Sequence, residues 1–427
     1  MIKYIGSKRR LVPVLSDIAA AAGARTALDL FTGTTRVAQA FKTQGIHVTA
    51  VDSARYSEMF ARTYIETDAG PGPGPATATA TAAGPATATA SVNPAELADA
   101  VTRLNALPGR PGYVHQTFSI EARYFQPENG ARIDAVRDRI EAEYAGTTLY
   151  PILLTSLIEA ADRVDSTTGV QMAYVKQWAP RSFKPLELRV PALLPGPGRA
   201  LRGDAVALTA TPPSGAGSDG SVLGHFDLAY LDPPYNQHRY FTNYHVWETL
   251  VAWDCPEAYG VARKRVDARD ESTRSAFNSK RTMPDALAAV VRSLSCDLLV
   301  LSYNDESWLS EAQLEAMCAE AAPRFDPAFA PSDPKDSSSR PSPVPRPRSA
   351  PRRRHVATLA FESSRYVGAR IGIFDPSGQK VGRVGRLSNR ELLVIAGAED
   401  LVQAVVETVG RMASSGVAPT DRLQQTS

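Results

Sequence analysis

Short apolar runs that each lead into a polar turn constrain the fold of this chain more than any other feature. Residues 27–30 enter a glycine-containing turn, residues 46–51 end at Asp52, and residues 226–231 run into Asp232. Runs of this kind are typical of strands buried on both faces of a sheet. A fourth run and a set of helical patterns complete the alternation, at 298–303 and at 35–43, 128–144, 150–164, 284–295 and 307–321. This alternation predicts an α/β fold with a doubly wound parallel sheet.

Composition divides the chain into structured blocks and two linkers. A Pro/Gly/Ala/Thr tract and a Pro/Ser/Arg-rich tract lack apolar periodicity and are predicted to be extended linkers. The predicted segments, in order, are a first half of the sheet domain (1–69), a linker (70–92), a helical insert (93–192), a second half (193–325), a linker (326–354), a β-rich part (355–410) and a tail (411–427).

Charge and cysteine content narrow the class of protein. The 47 basic and 45 acidic residues give a net charge of +2, but residues 263–281 and 340–354 are locally basic and suit phosphate contacts. The 3 cysteines are far apart and fit neither a disulfide framework nor a zinc site. No apolar run is long enough for a membrane span, and the start does not read as a secretion signal, so a cytoplasmic protein is expected.

The most specific motif is Asp232-Pro233-Pro234-Tyr235, directly after an apolar strand pattern. Ligands of open parallel sheets bind beyond the carboxyl ends of the strands, so the motif is predicted to lie in a binding site. A carboxylate and a rigidly held proline carbonyl can accept both hydrogens of an exocyclic amine such as that of adenine, which frees its nitrogen lone pair for attack. Tyr235 offers a flat face for a base flipped out of a duplex. Taken alone, the motif also fits a proline-rich turn with an aromatic lid.

Two further motifs indicate a cofactor site. Residues 29–35, Asp-Leu-Phe-Thr-Gly-Thr-Thr, form a strand-to-helix turn in which Gly33 permits close approach of a ligand to the backbone. Asp52, at the end of the next strand, is placed to bind ribose hydroxyls. The turn lacks G-x-G-x-x-G, which disfavours a nicotinamide or flavin site. Residues 3–8, Lys-Tyr-Ile-Gly-Ser-Lys, form a polar loop before the first helix that can close over a cofactor.

Together these motifs resemble the alpha group of adenine-N-6 DNA methyltransferases, which includes the Dam enzymes and the FokI-type modification methylases. The resemblance rests on KYIGSK (3–8), DLFTGTT (29–35), VD (51–52), GDA (203–205) and LDPPYNQHRYFTNYHVWETL (231–250), and spans nearly the whole chain outside the linkers. The order of the motifs, cofactor loop first and DPPY last, is that of the alpha group. The resemblance implies the Rossmann-like fold of class I S-adenosylmethionine-dependent methyltransferases, with a helical target-recognition insert.

The resemblance also assigns roles to residues. It implies a cofactor site for S-adenosylmethionine formed by Tyr4, Gly6, Ser7, Lys8, Asp29, Phe31, Gly33, Thr34, Asp52 and Asp204, and a catalytic tetrapeptide formed by Asp232, Pro233, Pro234 and Tyr235. Thr35 departs from the pattern, because the family often has a second glycine there. The implied reaction transfers a methyl group to the N-6 amino group of adenine in duplex DNA, without a metal.

The DNA-binding residues are less clear from the sequence. Residues 171–177 and Arg181 form a candidate recognition surface, since glutamine suits adenine edges and arginine suits guanine edges. Tyr240 and Tyr244 fit either base stacking or core packing equally well. A cognate restriction endonuclease is a possible partner. The alternatives left open are an RNA adenine acceptor and a catalytically silent DNA-binding homologue, whereas aspartate at position 232 argues against a cytosine acceptor.

Overall fold

The structure, a computed structural model, describes residues 2–4, 8–70, 92–172, 177–210, 223–234, 239–305, 307–320, 355–364, 372–374, 380–383, 388–414 and 424–425. The second predicted linker, nearly all of the first, and the site residues Gly6, Ser7 and Tyr235 lie outside these ranges. The strands are β1 (Thr26–Leu30), β2 (His47–Asp52), β3 (Gly198–Arg202), β4 (His225–Leu231), β5 (Ala258–Tyr259), β6 (Lys264–Arg265), β7 (Ser295–Asn304), β8 (His355–Ser364), β9 (Gly372–Phe374), β10 (Lys380–Arg383), β11 (Ser388–Gly397) and β12 (Gln424–Gln425). The helices are α1 (Val12–Ala21), α2 (Arg36–Thr43), α3 (Arg55–Ala61), α4 (Pro94–Asn105), α5 (Pro127–Tyr144), α6 (Leu149–Val164), α7 (Ala205–Thr209), α8 (Tyr240–Asn243), α9 (His245–Ala252), α10 (Met283–Ser293), α11 (Glu311–Glu320) and α12 (Glu399–Ser414).

One central sheet organises the molecule, in the order β12-β8-β11-β7-β4-β1-β2-β3. In the part of the sheet with the order β7-β4-β1-β2-β3, each strand is parallel to its neighbours. Strand β11 is antiparallel to both β7 and β8. The predicted doubly wound α/β sheet is therefore confirmed. Strand β11 lies between β7 and β8, which point the same way, and this arrangement is consistent with a class I methyltransferase fold.

The apolar runs form strands because each one is covered on both faces. Along β1, Ala27 packs into one apolar cluster and Leu28 and Leu30 into the other, as expected where side chains alternate across a sheet. Four of the five β1 residues are buried. With no face left to solvent, the strands carry apolar residues continuously rather than alternately.

Among the helices between β2 and β3, α3 contacts the sheet at β2 and β3. Helix α5 packs on α6, and α6 contacts α3 and also α9, which follows β4. Within the described ranges, no helix is long and apolar enough to cross a bilayer.

The C-terminal segment contributes to the same sheet. Helix α12 was not predicted from the sequence, although Val402, Val405 and Val409 are buried at helical spacing and supplied a usable signal. The helix packs against α1 and β8, so it covers the sheet near the start of the chain.

Candidate active site

The register of the parallel strands places the predicted motifs at one edge of the sheet. Leu30, the last residue of β1, is paired with Val51 on one side and with Leu231 on the other. The residues that follow, including Asp52 and Asp232, therefore meet at the carboxyl ends of adjacent strands, where open α/β sheets bind ligands.

The turn after β1 is held in a left-handed conformation. Gly33 has φ +54°, which glycine adopts without cost, and its backbone N–H donates to Asp52 Oδ2 at 2.9 Å. A Cβ on Gly33 would lie 3.0 Å from Tyr4 Cε1. The turn therefore depends on glycine for both its backbone conformation and its close contact with the amino-terminal segment.

Thr35, where the family often has glycine, also has a positive φ of +60°. A β-branched residue is strained there, and the strain is offset by two hydrogen bonds. Thr35 Oγ1 donates to the Thr34 carbonyl at 2.7 Å and accepts from Gln39 Nε2 at 2.8 Å. The buried Thr35 side chain therefore stabilises the turn through these two hydrogen bonds.

Asp29 is turned into the protein and is 1% exposed. Its Oδ2 accepts from Thr32 Oγ1 at 2.7 Å and from the Ala38 N–H of α2 at 3.0 Å, which ties the turn to the helix that follows. Burial raises the pKa of Asp29 to about 7, because water no longer stabilises the charged form.

Two acids lie at the carboxyl ends of β2 and β3. Asp52 accepts from the Gly33 N–H and from the Ala54 N–H at 3.0 Å, and burial raises its pKa above the usual value. Each of its carboxylate oxygens has a second lone pair for a ligand hydroxyl. Asp204 follows β3 and caps α7 by accepting from Ala207 N–H at 3.0 Å. Its neighbour Gly203 donates to the Asp52 carbonyl at 3.0 Å, so the two acidic turns are joined.

Asp232 shares a lysine with a second carboxylate. Lys8 Nζ is 3.1 Å from Asp232 Oδ1 and 3.1 Å from Glu391 Oε2. The Asp232 side chain is 19% exposed. Burial raises the pKa of Asp232 to about 6, the Lys8 ammonium acts to lower that pKa, and Glu391 acts to raise it. At neutral pH Asp232 is therefore mainly ionised and acts as a hydrogen-bond acceptor.

A cavity of about 950 Å³ opens at this edge of the sheet and brings together six of the predicted residues, Tyr4, Phe31, Asp52, Asp204, Asp232 and Pro234. A smaller cavity of about 30 Å³ shares Tyr4, Phe31 and Asp232 and adds Lys8, Asp29, Gly33 and Thr34. Pro233 lines neither cavity.

Among the described residues, no group of three or more His, Cys, Asp or Glu side chains is placed to hold a metal ion.

Stacked tyrosines form one wall of the larger cavity. The Tyr4 ring lies 4.8 Å from the Tyr244 ring and 5.4 Å from the Tyr240 ring, both nearly parallel to it. Tyr244 is 1% exposed and belongs to the core, whereas Tyr240 lines the cavity. The structure therefore separates two residues that the sequence left equivalent.

Glu248 is a site residue that the sequence analysis missed. It lies on α9, is 1% exposed and lines the larger cavity. Its Oε1 accepts from the Arg55 N–H at 2.8 Å, at the first turn of α3 and directly after the Asp52 turn. Burial raises the pKa of Glu248 to about 7. In sequence, it appears only as a charged residue in a short helix, which gives no signal of burial.

Three residues considered for DNA contact have roles inside the protein. Gln171 is 3% exposed, and its Oε1 accepts from the Val246 N–H at 2.9 Å, so this member of the candidate recognition surface is buried inside the protein. Arg265 is 2% exposed at its side chain and bonds to Asp254 and Asp267, so it is also not free for phosphate. Arg181 donates to Asp165 Oδ1 at 2.7 Å and is about one-third exposed.

The sheet order and the acid-lined cavity at the strand ends define a class I methyltransferase fold. The family model described as D12 class N6 adenine-specific DNA methyltransferase matches residues 4–317, so the chain belongs to this family of adenine DNA methyltransferases. This membership confirms the resemblance inferred from the motifs, and it implies a methyl donor and a DNA substrate.

Curated relatives support the same family. The chain is 31% identical over 329 residues to Type II methyltransferase M.NlaIII of Neisseria lactamica, covering 73% of this chain and 86% of that protein. It is 28% identical over 327 residues to modification methylase StsI of Streptococcus sanguinis, covering 73% and 45%. It is 26% identical over 337 residues to Type II methyltransferase M.FokI of Planomicrobium okeanokoites, covering 74% and 46%, so it spans less than half of these last two proteins. No solved structure matches the chain.

Proposed function

We propose that this chain transfers a methyl group from S-adenosylmethionine to the N-6 amino group of adenine at a specific site in duplex DNA. One observation carries the proposal. The acceptor Asp232 lies in the same cavity as Asp52, the candidate ribose-binding acid. A nucleobase bound at Asp232 and a nucleoside cofactor bound at Asp52 would therefore share one cavity.

The residues of the cavity fit the cofactor. The Asp52 carboxylate has acceptor capacity for ribose hydroxyls beyond its two backbone N–H partners. Gly33 holds the turn in the left-handed conformation in which its N–H bonds to Asp52. The proposed cofactor site comprises Tyr4, Lys8, Asp29, Phe31, Gly33, Thr34, Asp52 and Asp204 together with Gly6 and Ser7, which lie outside the described residues. Asp29 acts there indirectly, through Thr32 and α2.

The proposed chemistry is a direct in-line displacement. When bound, S-adenosylmethionine supplies a sulfonium-activated methyl group. Asp232 and the Pro233 carbonyl accept the two hydrogens of the adenine amino group, and the negative charge of Asp232 stabilises the positive charge that develops on the nitrogen. Pro234 limits the backbone freedom of the loop. Tyr235, outside the described residues, is proposed to stack on the flipped base.

The remaining proposals concern partners. The helical segment between β2 and β3 is proposed to carry target recognition, and DNA binding is expected to weaken steeply with salt because phosphate contacts release counterions. The relatives named as Type II methyltransferases support a cognate restriction endonuclease as a further partner. We also propose that the chain acts in the cytoplasm, on cellular DNA.

The test is to express the chain in a host without adenine methylation and to map N-6-methyladenine by single-molecule sequencing. Asp232→Ala is the control and is expected to lower turnover roughly a thousandfold while cofactor binding, measured by calorimetry, is retained. Methylation at one short motif that disappears in the control would support the proposal. A well-folded wild-type chain that binds cofactor but methylates only RNA, or nothing, would favour the RNA acceptor or the silent homologue.

A further inference from the structure

The first residues of strand β11 reach the active site, although this strand lies outside the residues that the family model matches. The family model ends at residue 317, and β11 begins at Ser388. Because β11 runs antiparallel to β7, its early residues lie at the carboxyl edge of the parallel strands, with Glu391 paired to Asn304 at the last position of β7. The C-terminal segment therefore places a carboxylate at the edge where Asp232 lies.

Glu391 meets Asp232 through one shared cation. Lys8 Nζ lies 3.1 Å from each carboxylate, and the Lys8 side chain is only 6% exposed. The Glu391 side chain is 15% exposed, and its Oε1 is within 3.5 Å of Asn304 Nδ2. Both carboxylates are thus largely shielded from water, where charge interactions are stronger than at a surface.

A shared ammonium has two physical consequences for Asp232. Lysine has a long, flexible side chain, so a second carboxylate on the opposite side restricts the positions that its ammonium can take. The second negative charge also divides the attraction of the ammonium, so Asp232 remains a stronger acceptor than it would be in an exclusive pair. The charged and titratable groups that face Asp232 are Lys8, Glu391, Asp29 of β1 and Tyr230 of β4.

We propose that Glu391 is a positioning residue for methyl transfer, which acts through Lys8 to hold the Asp232 carboxylate in place and to keep it basic. The proposal rests on the proposed function, because it takes Asp232 as the acceptor for the adenine amino group. It adds that strand β11 is part of the catalytic machinery.

The first test compares Glu391→Gln with the wild-type chain in single-turnover methylation of unmethylated duplex DNA across the pH range. Without the Glu391 charge, the Lys8 ammonium attracts Asp232 more strongly and the repulsion from Glu391 is lost, so the pKa of Asp232 falls. The acid limb of the rate profile is therefore expected to move to lower pH, and the rate on its plateau to fall about tenfold because a weaker base is a poorer acceptor. The KM for the cofactor is expected to stay within about twofold of wild type.

Glu315→Gln is the matched control. Glu315 accepts from Thr358 Oγ1 at 2.6 Å on β8, so the same chemical change is made beside the same C-terminal strands but away from Lys8. This control is expected to keep the wild-type pH profile. An unshifted acid limb in Glu391→Gln, or equal effects of the two substitutions, would overturn the proposal.

A second measurement keeps the inference separate from the activity. Glu391→Gln and Asp232→Asn are combined in a double-mutant cycle on thermal stability, where coupling through Lys8 predicts non-additive effects, while Glu315→Gln and Asp232→Asn are expected to add. Additivity in the first cycle would refute the coupling of Glu391 to Asp232. A wild-type chain without methylation would instead refute the proposed function, and the cycle would still decide the coupling.

Discussion

Gly33→Ala tests the turn on which the proposed cofactor site depends. Alanine at φ +54° is strained, and its Cβ would lie 3.0 Å from Tyr4 Cε1 and 3.2 Å from Tyr4 Oη. The Tyr4 ring cannot move away easily, because it packs against both Tyr240 and Tyr244 in a cluster of three tyrosine rings that also contact each other. We therefore expect the turn to shift and to carry with it the N–H that bonds to Asp52.

The chain offers a control that separates backbone strain from this contact. Gly23 has nearly the same φ of +60°, but a Cβ there would meet no atom within 4 Å. Each alanine should cost about 1–2 kcal/mol of stability for the left-handed conformation. Only Gly33→Ala should also weaken cofactor binding, by about tenfold or more, which corresponds to about 1.4 kcal/mol.

The assay is calorimetric titration of S-adenosylmethionine into both variants, alongside their thermal unfolding. If Gly33→Ala bound S-adenosylmethionine with wild-type affinity, the reasoning would be refuted, because the turn would then tolerate a side chain where it lies closest to Tyr4. An equal loss of affinity in Gly23→Ala would also refute it, since general destabilisation would explain both results.

Three further substitutions test the remaining roles. Folding raises the pKa of Glu248 from 4.5 to about 7, so Glu248 favours the folded protein at low pH and this contribution is lost as the pH rises between these values. In denaturant titrations, the free energy of unfolding of Glu248→Gln should therefore exceed that of wild type increasingly over this range, by up to about 3 kcal/mol, and a pH-independent difference would contradict this. Arg265→Ala should cost about 3 kcal/mol in denaturant titration, because it removes the charge-assisted hydrogen bonds that the buried guanidinium makes to Asp254 and Asp267. Arg263→Ala removes a part-exposed pair and should cost less than about 1 kcal/mol, so similar losses in the two variants would contradict a role for burial. Gln171→Ala should lower the free energy of unfolding by about 1–3 kcal/mol, because it leaves the buried Val246 N–H without its partner, and sequencing should find the methylated motif unchanged. A changed motif would show that Gln171 takes part in target recognition.

Much of the fold was predictable because local patterns decide it. The runs that became β1, β2 and β4 are mainly apolar, and burial on both faces favours that composition whatever the neighbours are. The motifs at their ends were predictable for the same reason, since parallel strands bring their carboxyl ends to one edge. Helix α12 also had a readable apolar spacing and was simply missed.

The partners of individual polar residues were not predictable in this way. Gln171 was part of the candidate recognition surface, because glutamine suits adenine edges, but its side chain bonds to Val246, 75 residues away. Glu248 and Arg55 are separated by 193 positions, and no spacing rule relates them. Which polar side chains become buried depends on how the helices pack on the sheet, and composition does not record that.

The sequence by itself determined the alternation of strands and helices, the order of the motifs and the acids at the strand ends, because each of these depends on a few consecutive residues. Only the tertiary structure decided that Lys8 lies between Asp232 and Glu391, which is 383 positions from Lys8. An ionic contact at 3.1 Å requires the first loop, β4 and β11 to be placed together, and that placement results from the packing of the whole sheet.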